Sequence, residues 1–142
     1  MIKINHKDLK VKKKFIGIKY KLNGRDFKGT DCLGLIWLFL KDNGIDIPES
    51  DGLPISKDWW RHDPNRYING LYKLGAENVF VKEIERLDII LFINSATNRA
   101  ISHSAIMLNK GWFLHILENR KSEVQIMNKY WLSRLDSILR IR

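Results

Sequence analysis

The sequence is short of cysteine, of acidic side chains and of long apolar runs. Its 142 residues include one cysteine, at position 32, which excludes an internal disulfide and a metal cluster built on cysteine ligands. No apolar run approaches the roughly 18 residues of a membrane span. The basic first residues lead into no apolar segment of the kind found in export leaders, so we expect synthesis in the cytoplasm without a cleaved leader.

Basic residues outnumber acidic ones by 25 to 16, which gives a net charge of +9. Such a charge favours a polyanionic partner, and nucleic acid, anionic lipid and cell-wall polymer fit it equally well. A small nucleic-acid-binding protein is therefore one interpretation. However, no nucleic-acid motif is present, and the basic residues are scattered instead of interleaved with aromatic ones, so nucleic acid is not the expected main ligand. A solvated basic face is an equally good interpretation of any single cluster.

The order of the predicted elements favours an α+β fold. With 44% apolar residues, the chain can form a single domain over residues 1–142 with a sizeable core, in which residues 1–14 are a basic arm or first helix. Glycine-punctuated residues 15–29 predict a loop, and a second short helix is expected at 64–74. Short apolar runs from residue 88 onward predict an antiparallel meander and then a last strand with alternating faces. We expect helices packed on an antiparallel sheet of about five or six strands.

Cys32 lies at the start of a predicted helix. Thr30 and Asp31 are cap-type residues that precede an apolar-periodic run, and Gly44 is a typical helix stop. The positive end of a helix dipole stabilises a thiolate and lowers the pKa of a thiol in the first turn. Cys32 is therefore a candidate nucleophile. A small buried apolar residue is an equally good interpretation of the spacing.

Two histidines, His103 and His115, lie inside apolar predicted strands, where an imidazole needs a polar partner. A histidine is the usual base that takes the proton of a cysteine nucleophile and returns it to a leaving amine. If residues 109–111 form a three-residue hairpin loop, both imidazoles share one face of the sheet, about 7–8 Å apart by Cα. A two-residue loop places them on opposite faces. The alternative to a catalytic role is that His103 and His115 are buried core residues whose polar atoms are hydrogen-bonded. His6 and His62 are expected at the surface.

Several separated blocks of the sequence resemble the NlpC/P60 family of cysteine peptidases. GIKYKLNGRDFKGTDCLGLIW, followed by GIDIP, is similar to the family's cysteine motif, HSAIML to its histidine strand and WFLHIL to the strand with the third polar residue. RLDIILF and YWLSRL resemble the family's Gly-Asp strand and its closing segment, so the match covers about residues 15–142. The DCLGL sequence and the tandem tryptophans Trp59 and Trp60 are most similar to the phage-associated branch of tail-linked cell-wall peptidases.

The resemblance implies a papain-like fold and cleavage of amide bonds in peptidoglycan stem peptides, typically between D-γ-glutamyl and the diamino acid. It implies Cys32 as the nucleophile, His103 as the base in a thiolate–imidazolium pair, and His115 as the third residue, with no metal or cofactor. The residues expected to bind substrate or the oxyanion are Tyr20, Asp31, Trp59 and Trp60. For the tryptophans, filling of the core is the alternative.

The partners implied are the stem peptide and, for the phage branch, other tail proteins in the virion. A tail assembly component with little or no hydrolase activity is one alternative, and a lipid acyltransferase using the same Cys–His chemistry is another. The sequence departs from the family pattern at Leu33, Leu87 and Ala105, where serine, glycine and glycine are usual. None of these departures removes a catalytic group.

Overall fold

The computed structural model describes residues 7–48, 66–93 and 101–141 of the chain. Within these ranges the helices are α1 (Cys32–Asp42), α2 (Arg66–Lys73) and α3 (Lys129–Leu132), with 3₁₀ turns at Lys13–Phe15 and Val81–Glu83. The strands are β1 (Arg25–Asp26), β2 (Gly29–Thr30), β3 (Glu77–Asn78), β4 (Ile89–Ile93), β5 (Ile101–Met107), β6 (Trp112–His115), β7 (Glu123–Ile126) and β8 (Leu135–Arg140). In the described ranges, no helix combines the length and the apolar character needed to cross a membrane.

Helix α1 begins and ends as its sequence predicts. Asp31 is the N-cap, with an extended backbone and a carboxylate that accepts a hydrogen bond from the Gly34 amide. At the other end Gly44 takes a left-handed conformation, with φ of +83°. Its amide donates to the Lys41 carbonyl while the Ile45 amide donates to the Leu40 carbonyl, which is the Schellman arrangement. The helix is therefore fixed by local signals at both ends.

The main sheet has six antiparallel strands in the order β3-β8-β4-β5-β6-β7. The predicted α+β class and strand number are confirmed, and strands β4 to β7 form the predicted meander. The last strand, β8, does not continue the meander but returns to lie between β3 and β4. Leu139 and Ile141 belong to one apolar cluster that does not include Ile138, which is consistent with the predicted alternation of faces. Ile138 is buried as well. Residues 15–29 also contain more than a loop, since β1 and β2 pair as a small hairpin.

Each face of the sheet carries its own apolar cluster. On one face α1 packs against β5 and β6, and the buried residues there include Leu35, Phe39, Leu91, Ile106 and Leu114. On the other face the cluster consists of Ile90, Phe92, Ala105, Met107, Phe113 and Trp131. Strands β4, β5 and β6 are thus covered on both sides, which holds the side chains of β5 and β6 in fixed positions.

A buried ion pair connects the start of β4 with the end of β8. Arg140 donates from Nε to Oδ1 of Asp88 and from Nη2 to Oδ2, each at 2.8 Å, and the Glu85 amide also donates to Oδ2 at 2.8 Å. The Asp88 side chain is 1% exposed and that of Arg140 18%. Paired with this carboxylate, the guanidinium has a pKa above its usual value. The two-point contact ties the last strand to the centre of the sheet.

The basic N-terminal segment lies on the body of the domain. Leu9 and Val11 are buried, and the guanidinium of Arg86 donates to the Leu9 carbonyl at 2.8 Å and to the Lys10 carbonyl at 2.7 Å. The carboxylate of Asp42 at the end of α1 pairs with two lysines of the same segment, and these pairs lower its pKa. The described part of the predicted arm is therefore docked and not extended.

Candidate active site

Cys32 is the first residue of α1, and the Asp31 carboxylate organises the chain around it. Oδ1 of Asp31 accepts from the Gly34 amide and from Nη1 of Arg25, each at 2.8 Å, and Oδ2 accepts from the Asn23 amide at 2.8 Å. These bonds hold the preceding loop against the start of the helix. Cys32 itself is buried, with 7% of the residue exposed. The Asp31 carboxylate thus bonds to neighbouring residues of this loop and helix. Its expected role in binding substrate stays a prediction.

The first turn of α1 also approaches the preceding loop so closely that residue 34 cannot carry a side chain. A Cβ added to Gly34 would lie 3.0 Å from Nη1 of Arg25, and much closer still to the carbonyl oxygen of Gly24 and the hydroxyl of Thr30. The Thr30 hydroxyl is itself held by the carbonyls of Gly24 and Asp31, at 3.1 and 3.0 Å. The glycine two positions after the cysteine is therefore a packing requirement.

The hairpin between β5 and β6 has the three-residue loop that places both histidines on one face. Met107 pairs with Phe113, and the Leu108 amide donates to the Trp112 carbonyl at 2.8 Å. Residues 109–111 form the loop, in which Lys110 has φ of +58° and Gly111 has φ of +81°. The three-residue loop is confirmed, and the two-residue alternative, which would have separated the imidazoles, was wrong.

The two imidazoles meet directly. Nε2 of His103 lies 2.9 Å from Nδ1 of His115, which is a short hydrogen-bond distance. His103 follows a β-bulge, because the register changes from Phe92 opposite His103 to Ile93 opposite Ile101. Bulges bend a strand and change the direction of a side chain, and they are common beside active sites. The structure thus brings together two of the three residues expected to form the triad.

Aromatic rings surround the imidazole pair. Phe92 stacks on His103 with ring centroids 5.8 Å apart and planes 18° apart. The rings of Phe113 and Trp131 meet the His115 ring edge to face, at 5.0 and 5.1 Å between centroids. His115 is buried and His103 is partly buried. This apolar surrounding is the one expected to strengthen the hydrogen bond between the two rings.

The same burial disfavours a charged imidazole. Burial, and to a smaller extent the neighbouring His115, lower the pKa of His103 to about 3. The pKa of His115 is lowered by burial, while Glu123, whose Oε1 lies 3.3 Å from Nε2 of His115, acts in the opposite direction. Burial therefore disfavours the charged form of both rings in the free protein. The expected thiolate–imidazolium pair stays a prediction.

Helix α1, which begins with Cys32, packs against the strands that carry the imidazoles. Contacts join α1 to β5 and to β6. Cys32 belongs to the apolar cluster on the α1 face, whereas the rings of His103 and His115 contact Phe92, Phe113 and Trp131 of the other cluster. The catalytic contact between the sulfur and the His103 ring therefore stays a prediction.

Tyr20 lies within electrostatic reach of Cys32. Its backbone bridges to Thr30, two residues before the cysteine, and its amide donates to the Arg120 carbonyl at 3.2 Å. Burial raises the pKa of the Tyr20 hydroxyl, and the acidic groups of Cys32, Asp31 and Glu118 raise it further. The hydroxyl therefore keeps its proton and can donate a hydrogen bond at neutral pH.

The sequence profile of the NlpC/P60 family matches residues 17–140. The matched span contains Cys32, His103 and His115 and includes all the strands of the main sheet. This chain belongs to the NlpC/P60 family. The resemblance of the separate sequence blocks is thereby confirmed, although family membership by itself leaves the catalytic roles of these residues as predictions.

A phage protein is similar to this NlpC/P60 domain over most of the chain. The tail tip assembly protein K of Escherichia phage lambda is 30% identical to it over 125 residues, which are 85% of this chain and 59% of the relative. The chain thus spans less than two thirds of the length of that relative. The phage origin of the relative supports the predicted resemblance to the phage-associated branch of the family.

Solved NlpC/P60 structures share the fold at lower identity. The NlpC/p60 domain of the peptidoglycan hydrolase SagA superposes with a TM-score of 0.59 at 19% identity, covering 90% of this chain and 91% of that one. RipD of Mycobacterium tuberculosis, a non-catalytic NlpC/p60 domain protein with an adaptation to peptidoglycan binding, gives a TM-score of 0.56 at 17% identity, covering 89% and 87%. At these identities the comparison confirms the fold and carries no residue roles.

Leu87, at the position where the resemblance predicts glycine, has a backbone conformation that favours glycine. Its φ is +75°, in the left-handed region that favours glycine. The Leu87 amide donates to the Met107 carbonyl at 2.9 Å, and the next amide, of Asp88, donates to the Glu85 carbonyl at 3.2 Å. These bonds hold the leucine in a conformation that is costly for a residue with a side chain.

Some predicted site residues lie outside the described ranges. Trp59, Trp60, His62 and His6 are among them, so their expected roles stay predictions. In the described ranges, no group of three or more His, Cys, Asp or Glu side chains is arranged to hold a metal ion. Sequence reasoning missed Glu123, which meets His115 because the two residues are paired between β7 and β6.

Proposed function

We propose that this protein is a cysteine endopeptidase that hydrolyses amide bonds in peptidoglycan stem peptides. The observation that carries the proposal is the 2.9 Å contact between Nε2 of His103 and Nδ1 of His115, on strands against which the helix of Cys32 packs. A cysteine at a helix start, together with an imidazole oriented by a second polar side chain, is the arrangement of a thiol hydrolase. Family membership supports the same reaction class.

In the proposed reaction His103 acts as a neutral base, consistent with its lowered pKa. It takes the thiol proton of Cys32 as the sulfur attacks the carbonyl carbon, and a carbon–sulfur bond forms. His103 then gives this proton to the amine as the carbon–nitrogen bond breaks. A water molecule, deprotonated by His103, attacks the thioester, and the carboxylic acid leaves while the proton returns to the sulfur. His115 holds the ring of His103 in place throughout.

The oxyanion formed during attack needs hydrogen-bond donors. Backbone N–H groups at the start of α1 point out of the helix end and are the proposed donors. The Tyr20 hydroxyl is a second proposed donor, because its raised pKa keeps it protonated within electrostatic reach of Cys32. Trp59 and Trp60 are proposed to line the substrate groove.

The proposed bond is the one between D-γ-glutamyl and the diamino acid, and the proposed setting is a phage or prophage tail. The family supports peptidoglycan as substrate, and the similarity to tail tip assembly protein K supports the tail setting. Incubation of the purified protein with purified peptidoglycan, followed by mass spectrometry of the released peptides, tests both the activity and the bond. Released peptides that begin with the diamino acid would support the proposal. A wall preparation left intact under all conditions would contradict it.

The alternative is a tail assembly component with little or no hydrolase activity. The name of the lambda relative favours it, and RipD shows that an NlpC/P60 domain can be non-catalytic. A protein that co-purifies with tail proteins but releases no peptide from peptidoglycan would favour this alternative. The hydrogen-bonded imidazole pair favours the peptidase, because a protein that only assembles tails does not need such a pair.

A further inference from the structure

The histidine pair is part of a longer chain of polar contacts that ends at the surface. Nε2 of His103 contacts Nδ1 of His115 at 2.9 Å, and Nε2 of His115 contacts Oε1 of Glu123 at 3.3 Å. Glu123 is directly opposite His115 in the register of β6 and β7, so its side chain lies on the same face of the sheet. Its side chain is 49% exposed, whereas that of His115 is fully buried.

We infer that Glu123 is a positioning residue that sets the tautomers of both histidines, so that Nδ1 of His103 is the atom that takes the proton of Cys32. This inference rests on the proposed function, because it assigns the atom that performs the first proton transfer. It adds Glu123 as a fourth residue to the predicted triad of Cys32, His103 and His115.

The tautomers follow one from another along the chain. A carboxylate only accepts hydrogen bonds, so the Glu123 contact requires a proton on Nε2 of His115. A neutral imidazole carries a single N–H, so Nδ1 of His115 is then an acceptor. The contact with His103 requires one donor, which must be Nε2 of His103. This leaves the lone pair of His103 on Nδ1, the nitrogen that does not contact His115.

Without the carboxylate the pair has two equivalent arrangements. The contact between the rings is equally satisfied if Nδ1 of His115 donates to Nε2 of His103. In that arrangement the proton of His103 is on Nδ1, and the ring cannot accept a proton there. Glu123 therefore selects the arrangement that can act as a base, and its loss is expected to populate the inactive one.

The test uses histidine labelled with nitrogen-15 in the full chain, at neutral pH, in the wild type and in Glu123→Ala and Glu123→Gln. The nitrogen shifts separate protonated from unprotonated ring nitrogens, and the His103→Gln and His115→Gln variants assign the signals. Glu77→Ala is the matched control. Glu77 is also an exposed glutamate, and it lies on β3 at the opposite edge of the same sheet.

In the wild type we expect protons on Nε2 of both His103 and His115. Glu123→Ala is expected to move about half of the His103 signal to protonated Nδ1 and to lower kcat on a stem peptide about twofold, with KM unchanged, because the two arrangements are then equally populated. Glu123→Gln keeps an acceptor oxygen and is expected to restore both readouts, and Glu77→Ala is expected to change neither.

Wild-type His103 protonated on Nδ1, or Glu123→Ala with unchanged nitrogen shifts and unchanged kcat, would overturn the inference while leaving the peptidase intact. A wild type that cleaves no stem peptide would instead contradict the proposed function. In that case the nitrogen shifts alone still decide whether Glu123 sets the tautomers. The two failures are therefore distinguishable.

Discussion

Replacement of Gly34 by alanine has two opposite effects on stability, a gain from helix propensity and a loss from overpacking at the start of α1. In a helix interior the exchange of glycine for alanine favours folding by about 1 kcal/mol. Here the added methyl group would lie 3.0 Å from Nη1 of Arg25 and closer to the Gly24 carbonyl and the Thr30 hydroxyl. These neighbours are buried or tied to Asp31, and overpacking against such atoms costs up to about 3 kcal/mol. The net expectation is a loss of about 2 kcal/mol in the free energy of unfolding.

Urea unfolding followed by tryptophan fluorescence measures this difference. Because the methyl group pushes the first turn of α1 away from the loop, hydrolysis per folded molecule is also expected to fall. Gly44→Ala at the other end of the helix is the control: no atom lies within 4 Å, but φ is +83°. It is expected to cost about 1 kcal/mol through backbone strain alone and to leave activity per folded molecule unchanged. A Gly34→Ala protein as stable as the wild type, or more stable, would refute the reasoning.

Three further predictions concern stability. The pKa of His103 is depressed to about 3 in the folded protein, so the unfolded chain takes up a proton on this ring at a higher pH than the folded one. The ring's contribution to the free energy of unfolding is therefore complete above pH 6.5 and is lost as the pH falls toward 3. Urea unfolding at pH 7 and pH 5 should differ by about 1 to 2 kcal/mol from this ring, and His103→Gln should reduce the difference. Asp88→Ala leaves Arg140 without its carboxylate and should cost about 3 kcal/mol, measured in the same way, whereas a cost below about 1 would contradict a buried pair. Asp31→Ala removes the cap of α1 and should cost about 1 to 2 kcal/mol, with a lower melting temperature as the readout.

The parts of the fold predicted from sequence are those that depend on neighbouring residues. Asp31 and Gly44 define the ends of α1 through hydrogen bonds within a few residues. The residue types at these positions were therefore sufficient to predict where the helix begins and ends. The hairpin of His103 and His115 depends on one loop length, which the sequence reduced to two options. The structure selects the three-residue loop.

The remaining features depend on pairs far apart in the chain. The position of β8 between β3 and β4 involves pairing with distant strands and a contact of Arg140 with Asp88, 52 residues away. The contact of Glu123 with His115 depends on where β7 pairs with β6, which no local pattern determines. The bulge that precedes His103 likewise depends on its partner strand and not on its own residues.

The central claim is that the sulfur of Cys32 performs the reaction, and Cys32→Ala tests it most directly. The wild type and the variant are incubated with the same purified peptidoglycan, and released peptides are quantified by mass spectrometry after both proteins are shown to unfold at similar urea concentrations. We expect release by the wild type and none above background by the variant. Equal release by the two proteins would show that another group does the chemistry.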